Sequence, residues 1–379
     1  MIKPDSELAL VTTIKEAKGP MRVIGGGTRI IGAPAIGEIL STTGMSGISL
    51  YEPGALTIVA SSGTPVAEIE AKLAKDHQRL AFEPMDHREL LGTQGTPTIG
   101  GVVATNASGP RRIQVGACRD SLLGVRFVDG QGRSLKNGGR VMKNVTGYDL
   151  VKLMAGSWGT LGVLSEVSLK VQAIPEAVGC VLVNGLDETA AVSVMSRALG
   201  SPYDVSGAAH APVGVNGHPV TMIRVEGLES SVSYRTKKLR QMFADNGVEI
   251  TIEHDLENVT ACWKWVRDVS LFKNSEASVW RISIKPTDAP GLVARIRADY
   301  HDVSVLYDWG GGLIWIEAPE GANLRSFEFS GHATLIRKSP DTLCKLPIFQ
   351  PNVGPLLAIS KGLRSKFDPR NILNPGLMG

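Results

Sequence analysis

The sequence predicts an α+β protein built from two domains, and three observations lead to this prediction. The chain has 379 residues, which is more than one hydrophobic core usually organises. Residues 1–175 hold 25 of the 43 glycines, so tight turns are concentrated in the first part of the chain. After Pro175, predicted strands and helices follow one another in a βαββαβ-like order, which is typical of a ferredoxin-like domain.

In the first part, alternation of apolar and polar residues predicts the strands. A helix is predicted where Thr64 can act as the N-cap and Pro65 can open the first turn. Asp129-Gly130 is a typical turn between two extended runs. The predicted elements are therefore a strand at 56–63, a helix at 64–75, a hairpin at 122–139 and a strand at 162–172.

The second part shows the same two periodicities, and no internal repeat is visible in it. Its predicted strands lie at 180–185, 220–227, 248–253, 279–286, 303–307 and 313–317, and its predicted helices at 187–199, 229–245 and 288–299. The tail predicts one more helix, because apolar residues recur at helical spacing before the proline-rich turn FDPRNILNPG. These apolar residues are Leu356, Ile359, Leu363 and Phe367.

Composition excludes several functional classes. The formal net charge is +3, and no run of Lys and Arg is interleaved with aromatic residues, so we expect no nucleic-acid partner. No apolar stretch approaches the ~18 residues that span a bilayer, so we expect no transmembrane segment. Because the four cysteines lie 62 or more residues apart and the histidines are scattered, we expect no metal site. The start, MIKPDSELAL, has no signal-peptide pattern, so we expect a cytoplasmic protein with reduced thiols.

The glycine-rich stretch VIGGGTRIIG, residues 23–32, predicts a close approach of the backbone to a ligand or a tight surface turn. Three ligands compete: a nicotinamide dinucleotide, a nucleoside triphosphate and a flavin dinucleotide. A Rossmann fingerprint fails because Ile30 stands where the third glycine is needed. A Walker A loop fails because Ala33, not Lys, follows Gly32. The loop still suits a pyrophosphate, because bare backbone N–H groups can converge on anionic oxygens.

Two further glycine-rich regions favour an extended ligand. In residues 92–112, Gly100-Gly101 precedes the apolar run VVAT, and Asn106 and Gly109 follow it. The third region is 141–169, which contains MAGSWGTLG. Several such loops, each joined to an apolar strand, predict one long ligand that lies across them, and a dinucleotide has that length.

These motifs resemble the flavin domain of the vanillyl-alcohol oxidase family, also called the FAD-linked oxidase family. IGGGTR resembles its pyrophosphate loop, TIGGVVATNASGPRR its central flavin stretch, and KNVTGYDLVKLMAGSWGTLGVLSEVSLKV its closing motif. Within the family, GPRR, RDSLLG, DWGGGLIW and GHATLIR are similar to the E subunits of bacterial glycolate oxidase. The resemblance implies a PCMH-type FAD-binding domain of two subdomains at 1–175, a ferredoxin-like α+β cap at 176–335, and a C-terminal segment at 336–379 that returns to the FAD domain.

The resemblance also implies which residues bind FAD. Thr28 occupies the place where some relatives carry a tethering His, so we expect noncovalent FAD, and Cys118 is expected to be a buried thiol. Arg111, Arg119 and Lys143 are candidates to offset phosphate charge or to stabilise an anionic reduced flavin. The remaining expected FAD contacts are Gly25, Gly26, Gly27, Thr28, Arg29, Pro84, Thr98, Gly100, Gly101, Asn106, Gly109, Gly162, Val163 and Asn374.

Oxidation of a 2-hydroxy acid by a flavin needs a base for the hydroxyl proton and a cation for the carboxylate. His332 and Arg337 are the candidates, although the metal-binding motif of catalytic relatives is not found. The resemblance implies an FAD subunit that works on glycolate with a homologous flavoprotein D subunit and an iron–sulfur F subunit, in the cytoplasm or peripherally on the inner membrane. A self-sufficient 2-hydroxy acid dehydrogenase and a structural subunit are the alternatives.

Overall fold

The computed structural model describes residues 1–31, 36–140, 147–244, 247–338 and 346–378. Within these ranges, no helix is long and apolar enough to cross a membrane. The helices of this part of the chain are α1 (Glu7–Glu16), α2 (Val66–Ala74), α3 (Arg88–Leu91), α4 (Ile99–Thr105), α5 (Arg112–Val115), α6 (Cys118–Ser121), α7 (Leu150–Met154), α8 (Glu188–Leu199), α9 (Glu229–Phe243), α10 (Leu256–Arg267), α11 (Ala289–Asp299) and α12 (Gly354–Phe367).

The strands belong to two larger sheets and two small ones. In chain order they are β1 (Met21–Ile24), β2 (Glu38–Ser41), β3 (Ile48–Glu52), β4 (Thr57–Ser61), β5 (Gln78–Arg79), β6 (Leu122–Val128), β7 (Ser134–Gly138), β8 (Val163–Lys170), β9 (Gln172–Ala173), β10 (Ala177–Asn184), β11 (Val205–Ala211), β12 (Val220–Gly227), β13 (Ile250–Glu253), β14 (Ser278–Ile284), β15 (Ser304–Asp308), β16 (Leu313–Ala318) and β17 (Gly331–Arg337).

The chain divides into two compact units, each discontinuous in sequence. The first unit contains Met1–Ser108, Gly116–Ile174 and Pro351–Gly379, and the second contains Gly109–Val115 and Pro175–Gln350. The return to the first unit therefore begins at Pro351 and not at residue 336. The reason is that β17 pairs with β14, and the Leu335 N–H donates to the Ile348 carbonyl at 2.9 Å, which holds this stretch in the second unit.

The first unit is organised by an antiparallel sheet with the order β3-β4-β8-β6-β7. Because β8 lies in the centre, both of its faces are covered, and even Ser165 and Ser168 are buried. Helices α2 and α4 pack on the sheet through a core that includes Ile69, Val103 and Phe127. The predicted hairpin at 122–139 is confirmed by the pairing of β6 with β7.

The start of α2 differs from the prediction. The helix begins at Val66, and Pro65 stands at the cap position without a side-chain hydrogen bond. Thr64 does not cap it, because its hydroxyl donates to the Ser61 carbonyl at 2.7 Å and accepts the Gly47 N–H at 2.9 Å. The hydroxyl thus fixes the end of β4.

The C-terminal tail extends the small parallel sheet of β1 and β2. The Met21 N–H donates to the Ile372 carbonyl at 2.7 Å, and Met21 forms a parallel bridge with Leu373. The predicted tail helix is confirmed as α12, whose Phe367 ring lies 6.1 Å from the ring of Phe127 between centroids. The last turn of α12 and the residues after it are therefore anchored in the first unit.

The second unit contains one eight-stranded sheet with the order β13-β10-β12-β11-β15-β16-β14-β17. Its first half, β10 to β13 with helices α8 and α9, has the strand order of a ferredoxin-like unit. Its second half repeats that order with β14 to β17 and helix α11. A short 3₁₀ turn, Leu324–Ser326, stands where the first half has its second helix. The fold is thus duplicated although the sequence shows no repeat.

One face of this sheet carries the core of the second unit. Val181, Ile223, Trp280 and Ile316 lie in this core and are buried completely. On the other face, the indole of Trp263 from α10 lies 4.5 Å from the Arg224 guanidinium and covers part of the first half. The tryptophans of this unit are therefore mainly packing residues.

Candidate functional site

A groove in the first unit brings the glycine-rich segments together. It encloses about 920 Å³ of space including its open mouth. Its wall is made by the residues after β1, the first turn of α4, the loop before β8 and the C-terminal tail. Four separate stretches of the chain thus form one elongated surface with few side chains.

The loop after β1 needs glycine because it lies directly against residues 96–98. A Cβ atom on Gly26 would lie 1.6 Å from the Thr96 carbonyl oxygen, and one on Gly25 would lie 2.3 Å from the Thr98 hydroxyl. Gly27 has a φ of +73°, a conformation that L residues rarely adopt. The backbone of this loop therefore forms the groove wall itself.

The first turn of α4 also contains two residues without side chains, Gly100 and Gly101. Thr98 caps the helix by accepting the Gly101 N–H at 3.3 Å. A Cβ atom on Gly100 would lie 2.6 Å from that of Ser62, so this turn packs tightly against the end of β4. The side of the turn that faces the groove consequently presents backbone and small side chains.

Asn374 holds the tail against the glycine loop. Its Oδ1 accepts the Val23 N–H at 2.8 Å, and its Nδ2 donates to the Trp158 carbonyl at 2.9 Å. The side-chain amide of Asn374 thus makes a hydrogen bond to β1 of the kind that a neighbouring strand would make. Asn374 lines the groove, but its side chain is engaged by the protein backbone.

Arg29 supplies positive charge to the groove. Its Nη2 donates to the Met85 carbonyl at 3.0 Å, and its Nε donates to His87 Nδ1 at 3.2 Å. Burial lowers the pKa of Arg29 to about 10, so the side chain stays charged at neutral pH. A guanidinium held in this way is suited to an anionic ligand such as a pyrophosphate.

Ser62 is a second sign that the groove takes a polar ligand. Its hydroxyl is fully buried in the groove wall and has no hydrogen-bond partner among the residues that the structure describes. An unsatisfied buried hydroxyl costs stability, so a ligand atom that pairs with it is favoured. Glycine-rich backbone, the two cations Arg22 and Arg29 and an unsatisfied hydroxyl in one groove fit FAD.

The groove collects most of the expected FAD contacts. From the expected set it contains Gly25, Gly26, Gly27, Thr28, Arg29, Thr98, Gly100, Gly101, Gly162, Val163 and Asn374. Several of its wall residues were not predicted from the sequence, although Trp158 and Gly159 lie inside the motif MAGSWGTLG. The missed residues are Arg22, Val23, Ile24, Ile30, Ile31, Thr42, Ser62, Ala104, Thr105, Trp158, Gly159, Leu164 and Leu377.

Three other expected contacts of the first unit do not line this groove. Asn106 ends α4 in the left-handed conformation, and its Oδ1 accepts the Arg119 N–H at 2.9 Å. The Arg119 side chain is half exposed, 3.8 Å from Asp120, and Pro84 is buried near Arg29. Lys143 lies outside the described residues.

Gly109 and Arg111 belong to the second unit. Arg111 makes a buried bidentate ion pair with Glu226, with distances of 2.8 and 2.9 Å. Because Glu226 neutralises it, Arg111 is not a free cation for a phosphate. The Gly109 carbonyl accepts the indole N–H of Trp309 at 3.1 Å.

The two expected catalytic residues lie on β17 and differ in their surroundings. Arg337 pairs with Glu317 at 3.0 Å and donates to the Ala277 and Phe272 carbonyls, both at 2.8 Å. These contacts oppose the expected role of Arg337 in binding substrate. His332 is exposed, and its side chain makes no hydrogen bond to any described residue.

Comparison with known proteins agrees with this geometry. A family profile described as an FAD binding domain matches residues 1–138. Glycolate oxidase subunit GlcE of Escherichia coli (strain K12) is 33% identical over 99% of this chain and 97% of that protein. Glycolate oxidase subunit GlcD of Bacillus subtilis (strain 168) is 26% identical over 97% of this chain and 86% of that protein.

A solved structure of alkyldihydroxyacetonephosphate synthase shares the fold, with a TM-score of 0.71 over 99% of this chain and 76% of that chain at 16% identity. The predicted α+β class and the predicted FAD-binding domain are confirmed. The chain belongs to the family of GlcE-type glycolate oxidase subunits among the FAD-linked oxidases, and it is an FAD-dependent oxidoreductase.

Proposed function

We propose that this chain is the FAD-binding subunit of a complex that oxidises glycolate to glyoxylate. The observation that carries the proposal is the near full-length similarity to a glycolate oxidase GlcE subunit, together with a groove whose bare backbone fits FAD. The coarser class, an FAD-dependent 2-hydroxy acid oxidoreductase, is shared with the relatives that the chain matches. The identification of glycolate as the substrate is the more specific part of the proposal.

The groove residues would hold the cofactor. The backbone of Gly25 to Gly27 and the Thr28 hydroxyl would face the pyrophosphate, and Arg29 would balance its charge. Ser62 would donate its unsatisfied hydroxyl to a polar atom of the cofactor. FAD, when bound, supplies an acceptor for a hydride from the substrate carbon.

We also propose that FAD is bound noncovalently. Thr28 cannot form the tether that a His forms in some relatives. Cys118 is fully buried, and burial raises the pKa of its thiol to about 12, so the reactive thiolate is not formed at neutral pH. Neither side chain is suited to attach the flavin.

The proposed complex contains two further subunits. The full-length likeness of this chain to a GlcD subunit supports a homologous flavoprotein partner. We place an iron–sulfur carrier on a third subunit, as the resemblance to E subunits implies, and we place the complex in the cytoplasm or peripherally on the inner membrane. In this arrangement the chain would relay electrons from a catalytic flavoprotein.

Absorbance of the purified protein tests this proposal. We expect a yellow flavin spectrum, and we expect acid precipitation to release the flavin into the supernatant. Under anaerobic conditions, glycolate should bleach the flavin only when the co-purified partners are present. Bleaching of the chain alone by glycolate or D-lactate would show a self-sufficient dehydrogenase, and a protein without flavin would show a structural subunit.

A further inference from the structure

A cluster of cations lies on the face of the second-unit sheet that is opposite its core. Trp280 and Ile282 of β14 enter the core, so Arg281 between them faces the other way. Across the sheet, Arg281 pairs with Trp315 of β16 on one side and with Thr334 of β17 on the other. His332 is two residues from Thr334 and is therefore a diagonal neighbour of Arg281 on the same face.

Two indoles flank the Arg281 guanidinium. Its central carbon lies 5.1 Å from the ring centroid of Trp309 and 5.9 Å from that of Trp315. Arg112 contacts the same Trp309 ring at 4.2 Å, so a second guanidinium belongs to the cluster. We call Arg112, Arg281 and His332 the basic cluster.

Arg281 differs from the other buried arginines of this unit. Arg111 and Arg337 each pair with a carboxylate, and Arg224 donates to Ser206. The Arg281 side chain makes no ion pair or hydrogen bond with any residue in the described ranges. Asp308 is near enough to favour its charge, but one oxygen of this carboxylate already accepts the Trp309 N–H at 2.7 Å.

The members of the cluster repel one another. Burial and the nearby Arg112 lower the pKa of Arg281 to about 10. The pKa of His332 is lowered by burial and then by Arg281 and Arg112. Because Arg281 and Arg112 repel each other, an anion beside Arg281 would be stabilised.

We propose that Arg281 and His332 bind the carboxylate of a small organic acid, with Arg112 adding positive charge and the indoles of Trp309 and Trp315 enclosing its carbon atoms. An arginine fork binds a carboxylate through two parallel hydrogen bonds, and Arg281 has its fork unused. The inference rests on the proposed function, because it names the part of the chain that would hold the 2-hydroxy acid. It also replaces Arg337 by Arg281 as the carboxylate-binding cation.

Tryptophan fluorescence tests the site, because two indoles contact the Arg281 guanidinium. Full-length protein is titrated with glycolate, and with inorganic phosphate in a parallel arm. We expect a saturable change with glycolate, and we expect Arg281→Gln to raise the dissociation constant about 10- to 100-fold, as loss of hydrogen bonds to a charged group does. His332→Gln should raise it less. Lys285→Gln, an exposed cation of the same unit, should leave it unchanged.

The outcomes separate this inference from the proposed function. Equal glycolate affinity in folded Arg281→Gln protein would overturn the site, and equal or tighter phosphate binding would overturn its preference for a carboxylate. If Arg281→Gln does not fold, Arg281→Lys keeps the charge and loses the fork, and an unchanged affinity there also overturns the site. A protein that contains no flavin but binds glycolate in a manner that depends on Arg281 would support the proposed site. The same result would contradict the proposed function.

Discussion

Gly26 illustrates how a single atom sets the shape of the cofactor groove. A Cβ at this position would lie 1.6 Å from the Thr96 carbonyl oxygen, which is far inside van der Waals contact. The oxygen belongs to the backbone and cannot rotate away as a side chain can. Any larger residue at position 26 must therefore displace the loop that forms the groove wall.

We expect Gly26→Val to abolish FAD retention, because the displaced loop no longer follows the pyrophosphate. Gly54→Val is the matched control, since a Cβ on Gly54 meets no atom within 4 Å and Gly54 lies away from the groove. The measurement is the ratio of flavin to protein absorbance after gel filtration. Wild-type flavin content in the Gly26→Val protein would show that the loop does not hold the cofactor.

At the scale of elements, the C-terminal tail stabilises β1 through one side chain. Asn374 pairs with the backbone of Val23 and with the Trp158 carbonyl, which belong to two different walls of the groove. A side-chain amide replaces strand pairing here because the tail turns away at this residue, where φ is +45°. The tail thus forms part of the groove wall although it is more than 200 residues distant from Trp158 in sequence.

We expect Asn374→Ala to destabilise the first unit by about 2–6 kcal/mol, because two partly buried backbone groups lose their partner at about 1–3 kcal/mol each. Faster hydrogen exchange at residues 21–25 and weaker flavin retention should accompany this loss. Asn352→Ala serves as a control, since Asn352 is exposed and its side chain donates only to Ser360. Unchanged exchange at residues 21–25 would contradict the assigned role.

At the scale of the whole molecule, the duplicated sheet contains a buried histidine where its halves meet. His210 of β11 pairs with Tyr307 of β15, and both residues are fully buried. His210 Nδ1 lies 2.9 Å from the Thr221 hydroxyl. Burial lowers the pKa of His210 to about 4, so the imidazole is neutral in the folded protein at neutral pH.

The lowered pKa of His210 predicts that the protein loses stability in mild acid. The unfolded chain binds the proton on His210 with a pKa near 6.5, and the folded chain binds it with a pKa of about 4. The contribution of His210 to stability is therefore fully present above pH 6.5 and is lost as the pH drops towards 4. The difference corresponds to about 3 kcal/mol at pH 4. In the wild type, the urea midpoint should decrease as the pH is lowered from 7 to 4.5. In His210→Gln, the midpoint should change less over the same pH range.

The window above pH 4.5 isolates this effect from that of Glu7. Arg126 holds the pKa of Glu7 at about 2, so the contribution of this carboxylate is lost only below its unfolded value of 4.5. Equal pH slopes for the wild type and His210→Gln above pH 4.5 would refute the role of His210.

Alternation and turn residues predicted most elements of the second unit but not all of them. The strand β11, VSGAAHA, was missed because all seven of its residues are buried, and a strand covered on both faces shows no alternation. Helix α10 was not predicted, although Asp255 is its N-cap and accepts the Asn258 N–H through its side chain. The duplicated topology was invisible because the order of strands is repeated and the residues are not.

The glycine-rich stretches could be recognised from the sequence because their requirement is local: a backbone that bends sharply or lies flat excludes side chains at particular positions. Their motifs were enough to predict the FAD-binding domain and part of the groove wall. Thr42 and Ser62 could not be predicted, because they reach the groove only through the pairing of distant strands.

The partners of the charged residues were decided by the tertiary structure alone. Arg111 and Arg281 are both arginines in ordinary sequence surroundings, yet Arg111 meets Glu226, 115 residues away, while Arg281 lies between two indoles without a carboxylate of its own. A charge is neutralised by whatever the fold places beside it, and no local pattern encodes that neighbour. The glycine motifs therefore indicate the cofactor from the sequence alone, whereas the surroundings of Arg111 and Arg281 are set by the tertiary structure.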